Sequence, residues 1–324
     1  MSTISRSAGK QRGLEACATE RGIIAALAID QRGSLRKALA KAAGSEAAAV
    51  TDEDLAAFKA AVTRVLTPQA SAVLLDPLYG WRAAEGRAPG TGLIVAYEKS
   101  GYDATDEHRM PTLLPEWSAA RLKASGADAV KVLVYDDPAG PAEINERKQA
   151  FVRRVGEECR EADVAFFLEP VTYNGEGGGA GVDGAERKPE RVTRSIAEWT
   201  RPEYGVDVLK VEVPVDPSWL EASVLSSQRD RVLAAFRQAT EASTLPLIFL
   251  SAGVDMQLFV RSLELAGEAG ARFNGVLCGR ATWKGGIAAY AGGGEPALEA
   301  WLRSDGLANI ERLNEALEAA ATAL

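Results

Sequence analysis

VDVLKVEVP, residues 206–214, reads as a buried β-strand with two ionisable side chains set into it. Its Val and Leu residues are nearly continuous, the pattern of a parallel strand covered by helices on both faces. Lys210 and Glu212 fall on one face of it, because strand side chains alternate. Runs of similar length and character precede it: IIAALAID (23–30), SAVLLD (71–76), GLIVAYE (92–98), DAVKVLVY (128–135) and VAFFLEPV (164–171). Two more follow, PLIFLSAG (246–253) and NGVLCGR (274–280). Amphipathic stretches of helical spacing lie between them, at 52–66, 115–125, 141–162, 189–201, 228–242 and 255–270, with a last one near 308–323. Asp255 is placed to cap the helix after the seventh strand, and Gly270 to end it. This alternation predicts an α/β chain folded as a single (β/α)8 TIM barrel, one domain over 1–324 with 1–22 as an N-terminal extension. A doubly wound open sheet would more naturally carry an early G-x-G-x-x-G turn, and IDQRGS is not one. No linker or shift of composition marks a boundary.

Composition narrows the function. A net charge of -8 leaves no basic surplus for general nucleic-acid binding, although a few cations in one cleft can still hold a small anion. Cys17, Cys159 and Cys278 are widely spaced and form no C-x-x-C pair, so a reducing cytosol is the natural setting. The polar N-terminus lacks the apolar core of a signal peptide, and no run approaches the ~18 apolar residues of a membrane span. His108 is the only histidine, so a multi-histidine metal site cannot be built. Neither metal nor organic cofactor is expected. His108 itself reads as a solvated loop residue, and Cys278 as a small buried one.

Barrel enzymes carry their active sites at the C-terminal ends of the strands. Asp30 ends the first strand, Lys131 lies within the fourth, Glu169 ends the fifth, and Arg280 ends the eighth. Glu98 and Tyr135 lie near the same mouth and could touch substrate. Buried lysine and glutamate need partners, because desolvating a charge is costly. Salt bridges such as Lys131–Glu169 and Lys210–Glu212 are the structural explanation. Two lysines and three carboxylates at one end of one barrel favour acid–base chemistry instead. A lysine freed of its proton by desolvation and a neighbouring cation can attack a ketone, forming an iminium that draws electrons from the adjacent carbon–carbon bond. A carboxylate such as Glu169 suits the base that cleavage then needs.

The late strands end in SAG (251–253) and CGR (278–280), where barrels commonly bind phosphate. Ser251, Gly253, Gly279 and Arg280 would supply a hydroxyl, backbone amides and a cation. NGEGGGAGVDGAE (174–186) follows the fifth strand and reads as a loop over the barrel mouth. It is not a P-loop; an insertion is the simpler reading, and a substrate-gating lid the functional one.

At these residues the chain resembles the class I tagatose-1,6-bisphosphate aldolases. The matching stretches include ALAIDQRGSL (26–35), LLDPLYG (74–80), VAYEKSGYD (95–103), LLPEWSAARLKASGADAVKVLVYDD (113–137) and FFLEPVTY (166–173). RPEYGVDVLKVEVPV (201–215), LPLIFLSAGV (245–254) and FNGVLCGRATW (273–283) extend the likeness over nearly the whole chain. The resemblance implies cleavage of a ketohexose 1,6-bisphosphate to dihydroxyacetone phosphate and glyceraldehyde 3-phosphate. It implies a Schiff base on Lys210, the main acid–base role on Glu169, and assistance from Lys131 and Asp30. Gln31, Ser251, Gly253 and Arg280 would hold substrate oxygens or phosphate. The glycines at 175–184 depart from the family's pattern. A related branch cleaves 6-deoxy-6-sulfofructose 1-phosphate, and YEKSGYD looks closer to the bisphosphate branch. A non-catalytic sugar-phosphate sensor is the rival of another kind, against which an imine-forming lysine speaks. The expected partner is a small sugar phosphate, with neither nucleic acid nor membrane; self-association into a homo-oligomer is left open.

Overall fold

The computed structural model describes residues 6–99, 108–173 and 182–324, and the side chains of all of these except 182 and 183. Eight parallel strands close into a barrel in chain order: β1 (Ile24–Ala28), β2 (Ala72–Leu75), β3 (Gly92–Ala96), β4 (Ala129–Asp136), β5 (Ala165–Thr172), β6 (Val208–Glu212), β7 (Leu247–Leu250) and β8 (Gly275–Cys278). β8 pairs back onto β1, Ile24 opposite Gly275 and Leu27 opposite Cys278, which leaves no free sheet edge. The expected TIM barrel is the fold observed.

The helices before the barrel's midpoint are α1 (Ala8–Ala16), α2 (Gly33–Ala42), α3 (Asp52–Leu66), α4 (Trp81–Glu85) and α5 (Ala119–Ala124). After it come α6 (Ala142–Glu161), α7 (Val182–Trp199), α8 (Ala222–Glu241), α9 (Met256–Glu268), α10 (Arg280–Trp283), α11 (Gly286–Trp301, broken at Gly293–Gly294) and α12 (Leu307–Ala320). The Thr51 hydroxyl accepts from the Asp54 amide while the Asp54 carboxylate takes the Thr51 amide, a capping box that fixes where α3 begins. Asp255 caps α9 through the Leu258 amide, as its position after β7 predicts. α7 starts well before the predicted 189. Pro189 suits a helix's first turn, but here the helix runs on to its N-terminal side and gives up the one bond that proline cannot donate. Residues 182–186 of the expected loop are therefore helical, tied to α8 by the Glu186–Arg231 ion pair, and 174–181 lie outside the described residues. None of the described helices is long and apolar enough to cross a membrane.

Alternate strand residues fill the barrel with apolar side chains, among them Ala26 and Ala28 of β1, Ala129 of β4, Phe167 of β5, Val208 of β6 and Ile248 of β7. Leu14 and Cys17 belong to the same cluster. They come from α1 and its end, in the stretch expected to be a plain extension, so the N-terminal segment plugs the bottom of the barrel. Packing there is close: a Cβ on Gly13 would stand 2.2 Å from the carbonyl oxygen of Asp128, before β4. Lys10 adds an ion pair of 2.7 Å to Asp207, at the foot of β6. Leu14→Ala is expected to cost about 2–5 kcal/mol by leaving a cavity under the barrel. Denaturant unfolding should show the loss, and the chemistry at the opposite mouth should be unchanged.

Candidate active site

The alternation that packs the barrel also sets the site. Two residues beyond the interior residues Ala28, Ala96, Ala129, Phe167 and Val208 come Asp30, Glu98, Lys131, Glu169 and Lys210. The apolar plug thus ends in an ionic layer at the C-terminal mouth. Lys131, Glu169 and Lys210 are buried there, and Asp30 is half-buried just past the end of β1.

Glu169 is shared between the two lysines. One carboxylate oxygen lies 2.7 Å from the Lys210 ammonium and the other 2.7 Å from that of Lys131. Lys131 also donates to Glu98 at 2.7 Å and to Asp30 at 3.0 Å. Burial works against its charge, but Asp30, Glu169 and Glu98 outweigh that effect and hold the Lys131 pKa well above its ordinary value. Burial alone would raise the Asp30 pKa; Lys131 and Lys210 reverse this and hold the carboxyl far below the usual range. Lys131 is thus a fixed cation within a layer of carboxylates.

Of the two pairs expected on structural grounds, Lys131–Glu169 forms and Lys210–Glu212 does not. Glu212 instead accepts from the Thr172 amide at 2.8 Å and hydroxyl at 2.7 Å, at the end of β5. The Tyr135 ring lies against Tyr173 (centroids 6.3 Å apart), with the Arg109 guanidinium over it. His108 is half-buried in a turn, with its carbonyl held by the Tyr173 hydroxyl at 3.0 Å.

The phosphate-type residues gather at the ends of β7, β8 and β1. Ala252 and Gly253 turn the chain through positive φ, 48° and 81°. The Arg280 side chain lies close over this turn: a Cβ on Gly253 would meet its guanidinium carbon at 2.8 Å. Arg280 does not end the eighth strand, which stops at Cys278; it opens α10 and is exposed. Gly279 is buried beside the Gln31 side-chain amide, and the Gln31 Oε1 is buried without a hydrogen-bond partner among the described residues. Ser251 is buried and bonds toward Cys278, whose thiol burial pushes up to about 12.

Three cations escaped the sequence reading. Lys284 reaches the Gly253 carbonyl at 3.3 Å. Arg32 donates to the Glu98 carbonyl at 2.7 Å, leaving its buried Nε and Nη1 unpartnered among the described residues. Lys59 is fully buried on α3 against Asp76, 2.8 Å away. A detectable signal existed for Lys59, since it lies on the apolar face of α3 with Leu55, Phe58 and Val62.

Residues 24–285 match the model of the DeoC/LacD family aldolases. The chain belongs to that family. It is 46% identical over 314 residues to the tagatose 1,6-diphosphate aldolase of Listeria monocytogenes (serotype 4a), covering 96% of this chain and 92% of that protein. It is 46% identical over 323 residues to tagatose 1,6-diphosphate aldolase 2 of Enterococcus faecalis, covering 98% and 96%. With tagatose 1,6-diphosphate aldolase 1 of Streptococcus mutans the identity is 45% over 317 residues, 97% of each chain. This aldolase family membership makes the chain a lyase, as the strand-end chemistry had suggested.

The ionic layer carries a signed pH dependence. Lys131, raised in the fold, stabilises fully below its unfolded value of 10.5 and loses that contribution as pH rises through the higher folded value. Asp30, lowered in the fold, stabilises above its unfolded value of 3.8 and loses that contribution as pH falls through the folded one. The contribution of the two should be flat from roughly pH 5 to 9. Lys131→Met would leave buried carboxylates without their shared counter-ion, at an expected cost of about 3–5 kcal/mol near pH 8. Denaturation repeated near pH 5 should recover part of this, because a proton can then replace the ammonium.

Proposed function

We propose that this chain is a class I aldolase, which cleaves tagatose 1,6-bisphosphate, and also fructose 1,6-bisphosphate, to dihydroxyacetone phosphate and glyceraldehyde 3-phosphate. The observation that carries the reading is the Lys210 amine, buried at the barrel mouth 2.7 Å from a Glu169 carboxylate oxygen. Glu169 accepts a proton from the Lys210 ammonium, and the neutral amine attacks the substrate ketone. Glu169 returns that proton to the carbinolamine oxygen, which leaves as water and gives a protonated imine. Glu169, with Asp30 assisting, then removes the proton of the substrate hydroxyl borne by the far carbon of the bond to be broken. That bond breaks, its electrons pass to the iminium to give an enamine, and the aldehyde leaves. Protonation of the enamine and hydrolysis release the ketone and restore Lys210. Lys131 remains cationic throughout, with its ammonium 2.7 Å from the second Glu169 oxygen.

The protonated imine is the electron sink, so no step calls for a metal. Carboxylates that could have gathered around a divalent ion already surround the Lys131 ammonium. One substrate phosphate is assigned to the amides of residues 251–253 and 279 with Gln31, Arg280 and Lys284. The N–H groups of Arg32 left unpartnered among the described residues offer a second anion contact, since buried guanidinium donors are costly to leave unmet. All three cysteines are buried and free, in keeping with a reducing cytosol.

Borohydride reduction with dihydroxyacetone phosphate, followed by peptide mass mapping, should place a covalent adduct on Lys210. Lys210→Ala should abolish it, and EDTA should leave turnover unchanged. Glu169→Gln should lower kcat about a hundred- to ten-thousandfold. Turnover compared on tagatose bisphosphate, fructose bisphosphate and 6-deoxy-6-sulfofructose 1-phosphate tests the substrate. Preference for the sulfonate would displace the bisphosphate reading, and ligand binding without cleavage would make the protein a sensor.

A further inference from the structure

Beside the catalytic layer, on its β1–β2 side, lies a second buried ion pair for which the reaction has no use. The Lys59 ammonium comes in from α3, donates to the carbonyls of Ile29 and Gln31 (the latter at 2.8 Å), and faces the Asp76 carboxylate at 2.8 Å. Asp76 in turn accepts the amides of Leu78 and Tyr79, each at 3.0 Å. Both Lys59 and Asp76 are sealed from solvent. The two carbonyls that converge on the ammonium flank Asp30, which reaches Lys131 at 3.0 Å.

This stretch needs an external hold. The last backbone bond tying it to β2 is from the Ile29 amide to the Leu74 carbonyl, 2.9 Å. Past it β2 turns away at Asp76, and at Arg32 the backbone leaves the strand with φ -115° and ψ -86° before α2. Asp30 and Gln31 therefore stand on a short span that the sheet no longer fixes. An ammonium with three donors, bonded on both sides of Asp30, supplies what the ladder does not.

Docking α3 does not explain the pair. Leu55, Phe58, Val62 and Leu66 are fully buried on that helix, and Phe58 packs edge-on against Trp283 and Tyr290. An apolar residue at position 59 would serve that purpose at no desolvation cost, since buried ion pairs are often no more stabilising than apolar residues of similar volume.

We propose that Lys59, braced by Asp76, is a positioning residue that holds residues 29–31 so that Asp30 engages Lys131 and Gln31 faces the anion end of the site. The proposal rests on the aldolase reading above and adds a residue that touches neither substrate nor Lys210.

The test is the variant Lys59→Met/Asp76→Asn, which removes both charges while keeping the side-chain oxygen that holds the Leu78 and Tyr79 amides. Melting temperature, steady-state kinetics on the bisphosphate and borohydride trapping with dihydroxyacetone phosphate are compared with the unaltered protein. The expected result is a folded variant that still traps at Lys210, with kcat reduced tenfold or more. A folded variant with kcat within threefold of the unaltered protein overturns the proposal, whatever its melting temperature, because a purely structural pair would behave that way. Should the double variant not fold, Lys59→Gln, which keeps a shorter donor toward Asp76, is judged by the same kcat limits. Failure of the unaltered protein to trap or cleave would instead count against the aldolase reading.

Discussion

Glu169 ion-paired with two ammonium groups at once is the contact on which the site depends. Bare burial of either lysine would be expensive, and so would burial of the carboxylate. Shared, the charges solvate one another, and each strand can place an ion at its C-terminal end. The burden is uneven. Lys131 faces Asp30, Glu98 and Glu169, whereas Lys210 pairs with Glu169 alone among the described residues. Under the proposed mechanism one lysine serves as a counter-ion and the other is left to react. Two chemically identical side chains on neighbouring faces of one barrel are thus divided into two roles by their carboxylates.

The layer works because of what lies beneath it. Phe167, Ile248 and the small residues Ala28, Ala96 and Ala129 close the barrel interior, and α1 closes the bottom with Leu14. This apolar layer separates Glu169 from the bottom of the barrel. The low local dielectric that makes the charges costly also strengthens their interaction. Stability is drawn from the apolar plug and the helix shell, while the ionic layer is a charge arrangement the fold must support.

Much of this was legible in the sequence for one reason: strand periodicity is strict. A lysine two residues beyond an interior alanine or valine must also point inward, so Lys131 and Lys210 could be placed from the alternation alone, and Asp30 and Glu169 with them. What escaped depended on geometry that no period encodes. Glu212 shares a face with Lys210, yet its partner is Thr172, because the stagger between β5 and β6 decides which neighbour is within reach. Arg280 looked like a strand end, yet Gly279 breaks the strand and starts α10. The buried segment around Leu14 was hidden in a polar stretch with too few apolar residues to signal a helix. Lys59 was hidden differently, as a charge on an apolar helix face, where a long amphipathic side chain is ordinarily read as snorkelling to solvent.

Lys59 also shows where the barrel's geometry requires something beyond the barrel. Strands hold side chains rigidly only as far as their hydrogen-bond ladders extend, and β1 ends at Ala28, two residues short of Asp30. Glu169 and Lys210 lie within their strands and inherit the sheet's rigidity directly. Asp30 and Gln31 do not, and a reacting group displaced by an ångström can lose much of its effect. The carbonyls on either side of Asp30 are held by an ammonium from outside the sheet, at the cost of desolvating a charge. Apolar packing at position 59 could fasten α3 to the barrel equally well, but it could not grip two carbonyls.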